Sequence, residues 1–105
     1  MKANRVLIEQ ELRQPGDFFI LENEYGRWMY FICPCATQEC RRHTSILLYK
    51  EGQEKPNMII KGSSWLWDGD MDKPTLIPSI QRNSLCRWHG YLTAGFFKGV
   101  LEVGR

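Results

Sequence analysis

The sequence predicts a mostly β fold, a small antiparallel sheet or open barrel with little helix. Two patterns carry this prediction. Short apolar runs alternate with turn residues along the chain, and no longer window combines a helical apolar period with capping residues. The chain of 105 residues also contains four cysteines. They could bind one zinc ion, which would stabilise the thin core expected of a domain of this size. We therefore expect residues 1–105 to form a single zinc-binding β domain.

Each apolar run bounded by turn residues is a predicted strand. The predicted strands are Val6 to Leu12, Phe18 to Glu22, Arg27 to Cys33, Ser45 to Tyr49, Met58 to Lys61, Thr75 to Gln81 and Phe96 to Val103. The second and third strands form a hairpin, because Glu24-Tyr25-Gly26 between them is typical of a turn. Residues 28–32 are apolar at every position, which predicts a central strand covered on both faces.

Composition and charge argue against several classes of protein. The net charge is only +2 and the basic residues are scattered, so binding to nucleic acid is not expected. The N-terminal apolar run, Val6 to Ile8, is too short for a signal peptide. No run approaches the roughly 18 apolar residues of a membrane span. We expect a cytoplasmic protein without a membrane partner, and in that reducing compartment clustered cysteines favour metal over disulfides.

The cysteines predict a metal site. Cys33, Cys35 and Cys40 lie within eight residues of one another, and Cys86 comes from a distant turn. Structural zinc takes four tetrahedral ligands, usually cysteine or histidine. The four cysteines are therefore the predicted zinc ligands, and the zinc would contribute folding energy by joining distant parts of the chain.

Other interpretations of the cysteines stay open. His89 follows Cys86 in a Cys-x-x-His arrangement, so zinc bound by Cys33, Cys35, Cys86 and His89 competes with the site of four cysteines. Mixtures that include His43 are a further option. Without metal, the thiols would be small buried hydrophobes. The polar residues between Cys35 and Cys40 make poor core material, however, which favours metal.

Ser79 and His89 are the candidate catalytic pair. Ser79 follows Pro78, which restricts the backbone, and His89 comes ten residues later beside a predicted zinc ligand. A serine becomes a nucleophile only when a base such as histidine lies within hydrogen-bond reach and is oriented by a third group. Asp68 is the preferred third group, and Asp70 and Asp72 are the alternatives.

Two other interpretations compete with this catalytic pair. The segment around Asp68 and Gly69 is typical of a turn, with tryptophans covering the edge of the core and Pro78 marking an edge strand or bend. A zinc ion with three protein ligands and a water would itself be catalytic. Sites rich in thiolate are usually structural, which favours the serine as the reacting group.

Several motifs taken together resemble a family of small bacterial and phage proteins that was long catalogued only as a domain of unknown function. The shared motifs are a Cys-Pro-Cys segment, a Pro-Ser-Ile segment and a Cys-x-x-His-Gly segment. The resemblance covers residues 31–103. Some members belong to bacterial operons for ubiquitin-like protein conjugation and are regarded as serine peptidases that act like deubiquitinases.

The resemblance implies roles for individual residues. It implies Ser79 as nucleophile, His89 as a metal-free base and the four cysteines as zinc ligands. The chain departs from the family at one point. Four residues separate Cys35 from Cys40, where the family has its third cysteine two residues after the second. If Cys40 is not a ligand, His89 completes the metal site and the serine loses its base.

The function predicted from the sequence is that of a small zinc-stabilised serine peptidase, deubiquitinase-like, which cleaves the tail or a conjugate of a ubiquitin-like protein. The alternative is a non-catalytic zinc-binding interaction module, encoded by a phage and directed at a host protein. Such a module would use exposed aromatic side chains as anchors. The anchors would be Trp65, Trp67, Trp88 and Tyr91. The peptidase instead requires the Ser79 hydroxyl close to a metal-free His89.

Overall fold

Strands dominate the fold of this chain. A computed structural model describes residues 1–35, 43–52, 64–82 and 86–100. These residues form one 3-10 helix, Glu9–Glu11, and nine strands. The strands are β1 (Asn4–Arg5), β2 (Asp17–Asn23), β3 (Gly26–Ile32), β4 (His43–Lys50), β5 (Ser64–Trp67), β6 (Leu76–Ile77), β7 (Ile80–Gln81), β8 (His89–Thr93) and β9 (Phe96–Gly99). The mostly β fold class with little helix is confirmed, and within the described ranges no helix is long and apolar enough to cross a membrane.

The strands form two sheets. One has six strands in the order β1-β2-β3-β4-β5-β6, and the other has three in the order β7-β8-β9. Most neighbouring pairs are antiparallel, but β1 pairs with β2 and β4 pairs with β5 in parallel. The larger sheet is therefore mixed, and antiparallel pairs are the majority in it. In each parallel pair, about a dozen residues connect the first strand to the second, which is the length that a parallel crossover requires.

The predicted hairpin is present and forms the centre of the larger sheet. β2 and β3 pair from Phe18↔Phe31 to Asn23↔Gly26 around a two-residue turn. Gly26 has a φ of +150°, a conformation that suits glycine. β3 lies between β2 and β4, and its last two residues are buried. This strand therefore delivers Cys33, which follows directly, into the protein interior.

The predicted strand from Val6 to Leu12 is wrong. Only Asn4–Arg5 pairs as a strand, and the chain then bends into the 3-10 helix, leaving Leu7 and Ile8 exposed. The Glu11 carboxylate accepts a hydrogen bond from the Leu7 amide. A side chain that bonds to the nearby backbone offers an alternative to sheet pairing, which explains why this apolar run is not extended.

Other strand predictions are corrected in part. The run from Thr75 to Gln81 is divided into β6 and β7, with Pro78 between them after a cis Ile77–Pro78 peptide bond. Proline has no N–H for a ladder, so one continuous paired strand is not possible there. The final predicted strand is described as Phe96–Gly99, and the prediction of Met58 to Lys61 lies outside the described residues. β5 and β8 were not predicted.

The two sheets share one hydrophobic core. Its buried members come from both sheets: Ala3, Phe18, Met29, Phe31, Leu48, Trp67, Leu76, Ile80, Leu92 and Phe97. The rings of Phe31 on β3 and Phe97 on β9 lie 5.8 Å apart between centroids and join the two sheets at their middle. The N-terminal segment ties them together again, because Ala3 donates to the Gly95 carbonyl and Asn4 donates to the Gly16 carbonyl.

Gly90 allows the second strand of the small sheet to pack closely. A Cβ atom at this position would overlap the Lys98 carbonyl oxygen and lie 2.6 Å from the Trp88 ring. Trp88 folds across this space and meets Phe97 edge to face at 6.0 Å. The absence of a side chain at Gly90 thus lets β8 and β9 pair beneath the indole, directly beside His89.

We expect Gly90→Ala to destabilise the protein by about 1 to 3 kcal/mol, because the added methyl group overpacks a filled space. Urea unfolding followed by tryptophan fluorescence measures the change. Gly99→Ala is the matched control, since its Cβ would lie at an ordinary 3.6 Å from the Trp88 indole nitrogen. Equal stability of the two variants would contradict the close packing at Gly90.

Candidate functional site

Ser79 and His89 meet at the junction of the two sheets. The chain leaves the larger sheet after Ile77 and enters the smaller sheet at Ile80, so Ser79 lies in the short crossing between β6 and β7. His89 is the first residue of β8. Ser79 Oγ lies 2.8 Å from His89 Nε2. This is the hydrogen-bond distance that a serine nucleophile and its base require.

The register of the small sheet explains this contact. Gln81 of β7 lies directly opposite His89 of β8, and Ile80 lies opposite Gly90. Alternate residues of a strand share a face, so Ser79 lies on the same face as Gln81 and diagonally across from His89. Diagonal neighbours are within reach of a long side chain such as imidazole.

The backbone of Ser79 is held from the other side by a residue that the sequence did not indicate for this role. The indole nitrogen of Trp65 donates a hydrogen bond of 3.2 Å to the Ser79 carbonyl oxygen. Trp65 stands on β5, whose pairing with β6 brings it beside Pro78. Fourteen residues separate donor and acceptor, and no local pattern in the sequence predicts this contact.

An open groove adjoins the imidazole. Its volume is about 490 Å³, and His89, Gln81, Arg87 and Val100 are among the residues that line it. Ser79 and His89 are both half-buried rather than enclosed, so the pair is in contact with the solvent side of the small sheet. The groove therefore opens the His89 side of the pair to solvent.

Asp68 lies in the loop between β5 and β6. Its Oδ1 accepts hydrogen bonds from the backbone amides of Asp70 and Thr75, and the described part of the chain shows no bond from Asp68 to His89. These bonds close the loop between β5 and β6. The role of Asp68 as the third catalytic group stays a prediction.

The alternative aspartates belong to the same loop. Asp70 accepts hydrogen bonds from the amides of Lys73 and Asp72, which lower the pKa of its carboxyl group below the usual value. The Asp72 carboxylate pairs with Arg5 at 3.0 Å. The observed bonds of Asp70 and Asp72 thus support the loop that precedes Leu76.

Three of the four predicted metal ligands come together. The sulfur atoms of Cys33, Cys35 and Cys86 all lie within 4.8 Å of one another, and those of Cys33 and Cys86 are 3.5 Å apart. The sequence separates Cys86 from the first pair by about fifty residues, so the fold and not the local chain creates this cluster. Cys40 lies outside the described residues, and His89 is not part of the cluster.

The cluster has the dimensions of a metal site. Tetrahedral zinc with Zn–S bonds of about 2.3 Å would hold its sulfur ligands about 3.8 Å apart. The Trp88 amide donates to Cys86 Sγ at 3.4 Å, a contact that favours a charged sulfur. Without metal, burial raises the pKa of the Cys33 thiol well above its usual range, and hydrogen bonding with Cys35 and Cys86 adds to this shift. The three sulfurs can therefore hold a metal ion.

The proposed aromatic anchors of an interaction module are mostly part of the core. Trp67 is buried, and Trp65 and Trp88 are half-buried against the core residues. Only Tyr91 of the four is exposed, with 48 % of its surface accessible. The expectation of four exposed anchors is therefore wrong, because the three tryptophans lie in the core or pack against it.

The comparison with known families agrees with this geometry. The sequence model of BubE, the bacterial ubiquitination-like system serine protease, matches residues 5–99. The chain belongs to this family. The family resemblance predicted from the motifs is confirmed, and the chain is a hydrolase whose partner is a protein substrate. No curated protein and no solved structure gives a significant match.

We expect the purified protein to bind one metal ion per chain and Cys86→Ser to lose it, because three sulfurs converge at this residue. Elemental mass spectrometry measures the metal content. His89→Gln should keep the metal, since its imidazole lies against Ser79 and outside the sulfur cluster. Loss of metal in His89→Gln would make His89 a ligand. The same measurement on Cys40→Ser tests the fourth predicted cysteine.

Proposed function

We propose that this BubE family member is a zinc-stabilised, deubiquitinase-like peptidase. It cleaves the C-terminal tail of a ubiquitin-like protein or the bond that joins such a protein to its conjugate. Ser79 is the nucleophile and His89 is the general base. The observation that carries this proposal is the 2.8 Å distance between Ser79 Oγ and His89 Nε2.

The pair has the geometry for acyl transfer. His89 Nε2 accepts the proton of Ser79 Oγ while that oxygen attacks the carbonyl carbon of the scissile bond. For this step the neutral imidazole carries its own proton on Nδ1, which leaves Nε2 free to accept. The protonated imidazole then donates to the departing amine, and the C–N bond breaks. The product of this half-reaction is an ester between the substrate and Ser79.

Water completes the reaction. His89 Nε2 accepts a proton from a water molecule, and the hydroxide attacks the ester carbonyl carbon. The bond between that carbon and Ser79 Oγ then breaks, and the imidazolium returns the proton to Ser79 Oγ. The substrate leaves with a free carboxylate. The groove beside His89 supports this step, because it opens the imidazole to solvent.

Zinc is the metal that best fits the three thiols. Cys33, Cys35 and Cys86 supply soft sulfur ligands at tetrahedral spacing, and Cys40 is the proposed fourth ligand. Bound zinc would supply structural support and no reacting group, since a closed sulfur site leaves no position for substrate. A reducing cytoplasm, the proposed location, keeps such thiols available.

The proposed peptidase could cleave two kinds of bond in its substrate. The family description supports a protein substrate from a ubiquitination-like system. A ubiquitin-like protein is joined to its targets through its C-terminal carbonyl, and the same carbonyl is the acyl group of a tail-processing reaction. One nucleophile that recognises the tail can therefore act on both bonds.

We expect Ser79→Ala and His89→Gln to lower kcat by a factor of about a thousand or more, as loss of a nucleophile or its base does in serine proteases. Hydrolysis of a ubiquitin-like protein with a fluorogenic C-terminal amide measures activity. Ser45→Ala, an exposed serine on β4, is the matched control and should keep full activity. Labelling by a fluorophosphonate should be lost in Ser79→Ala and kept in Ser45→Ala.

Thermal unfolding of Ser79→Ala distinguishes a catalytic role of Ser79 from a structural one. Ser79→Ala removes one hydroxyl from a half-buried position, so we expect the unfolding temperature to stay close to that of the wild type. Labelling that survives in Ser79→Ala, or inactivity explained by unfolding, would refute the catalytic assignment.

We also expect the bound metal to be zinc and a strong chelator to lower stability and activity together. The cluster joins the end of β3 to the turn before β8, so removing the ion releases the strand that carries His89. Calorimetry with and without chelator, followed by zinc addition, tests this. Full activity of the zinc-free protein would contradict the proposal that the metal holds β8 in place.

A further inference from the structure

The small sheet has an exposed face that contains the Ser79–His89 pair and extends beyond it. We call it the outer face and define it by the side chains that alternate away from the core. They are Ser79, Gln81, His89, Tyr91, Thr93, Phe96, Lys98 and Val100, with Lys2 at the margin. Most of this face lies outside the proposed catalytic machinery.

The strand registers place these residues on one surface. Tyr91 of β8 lies opposite Lys98 of β9, and Thr93 lies opposite Phe96. Lys2 forms a bridge with Phe96 on the far side of β9. Opposite and alternate residues share a face, and the intervening Leu92 and Phe97 are buried in the core. Lys2, Phe96, Lys98 and Tyr91 therefore form a continuous patch.

The patch is apolar and positively charged. Tyr91 is 48 % exposed, Phe96 is 45 % exposed, and Val100 is also exposed. Lys98 borders Phe96 on the same strand, and Lys2 borders it on the neighbouring segment. The defined outer face contains no acidic residue. A complementary partner would present an apolar surface bordered by carboxylates.

The patch is close enough to the reacting pair to contact the same substrate. Neighbouring strands are about 4.8 Å apart, so β9 lies about 10 Å from Ser79 across the small sheet. A typical protein interface covers about 800 Å² on each partner, which is a disc about 30 Å across. A folded substrate whose tail reaches Ser79 along this face therefore covers Phe96 and Lys98.

We propose that the outer face around Tyr91, Phe96 and Lys98 docks the folded body of the ubiquitin-like substrate through an apolar surface bordered by carboxylates. This inference rests on the proposed function, because it takes Ser79 as the point to which the tail is delivered. The docking residues act on substrate affinity and do not take part in the bond-breaking steps.

The other side of Ser79 fits this occupant less well. A groove of about 350 Å³ lies beside β5 and β6, which precede Ser79, and is lined by Lys50, Trp67, Asp68 and Ile77, among others. Ile77 is 57 % exposed, but the groove includes acidic side chains that would repel a carboxylate-bordered partner. This groove is the competing position for the substrate body. A variant of Ile77 distinguishes docking in this groove from docking on the outer face.

The test measures binding to a protein that cannot cleave. The probe is the ubiquitin-like protein of a bacterial ubiquitination-like system with its C-terminal tail, and the binder is the Ser79→Ala protein. In that background, Phe96→Ser should weaken binding about tenfold or more, as loss of an aromatic anchor does. Lys98→Glu should weaken it further than Lys98→Gln, and added salt should reduce the affinity of the parent protein.

Controls separate docking from folding and from catalysis. Tyr25→Ser removes an aromatic residue that is 82 % exposed in the β2–β3 turn, and it should leave affinity unchanged. With Ser79 restored, Phe96→Ser and Lys98→Glu should react with a fluorophosphonate at the wild-type rate. Absent labelling of the wild type would refute the proposed function, whatever the binding result.

Three outcomes of the binding measurement would overturn the docking inference. The first is wild-type affinity in Phe96→Ser and Lys98→Glu, and the second is no measurable binding of the probe to the Ser79→Ala protein. The third is weaker binding in Ile77→Ser alone, which would place the substrate body at the other groove. Light scattering should give the same mass for Phe96→Ser and the parent, since a change would make the face a contact between copies of this chain.

Discussion

The pairing of β7 with β8 is the interaction on which the site depends. It is only two residues long in the register Ile80↔Gly90 and Gln81↔His89, and the Arg82 amide extends it by donating to the Trp88 carbonyl at 2.7 Å. This register puts the imidazole diagonally across from Ser79. A slip by one residue would turn the His89 side chain towards the core, because side chains alternate between faces. Such a short ladder does not hold its register alone, so the surrounding structure has to support it.

Support comes from both ends of the small sheet. At one end, the sulfurs of Cys33 and Cys86 lie 3.5 Å apart and connect the end of the central strand β3 to the turn before His89. At the other, the Trp65 indole holds the Ser79 carbonyl. Between them, Trp88 packs over Gly90 against Phe97. The cluster that would stabilise the thin core through metal binding thus lies beside the turn that positions His89, so fold stability and the Ser79–His89 contact depend on the same region.

The sequence predicted the parts of this protein that depend on local patterns. The β2–β3 hairpin follows from an apolar run and a glycine turn, and Ser79, His89 and three of the cysteines follow from motifs. The division at Pro78, the parallel pairing of β4 with β5 and the bond from Trp65 to Ser79 depend on contacts between distant segments. The predicted strand through Leu7 and Ile8 failed because of a local contact. The apolar run predicted a buried strand, but the Glu11 carboxylate accepts a hydrogen bond from the Leu7 amide and both side chains are exposed. Asp68 was proposed for its place after Trp67; its Oδ1 accepts two loop amides, and its role as third catalytic group stays a prediction.

Successive side chains of β8 point alternately to the core and to solvent, so this short strand serves both packing and the exposed face. Its inward positions, Gly90 and Leu92, serve the core, while its outward positions, His89, Tyr91 and Thr93, face solvent. β9 repeats the arrangement, with Phe97 inside and with Phe96 and Lys98 outside. Tyr91, Phe96 and Lys98 are not among the buried core residues, so we expect a substitution there to disturb the core less than one at Leu92 or Phe97. If these residues dock the substrate, partner choice can change on the outer face while the reacting pair and the core stay the same, which lets a very small protease be redirected without being refolded.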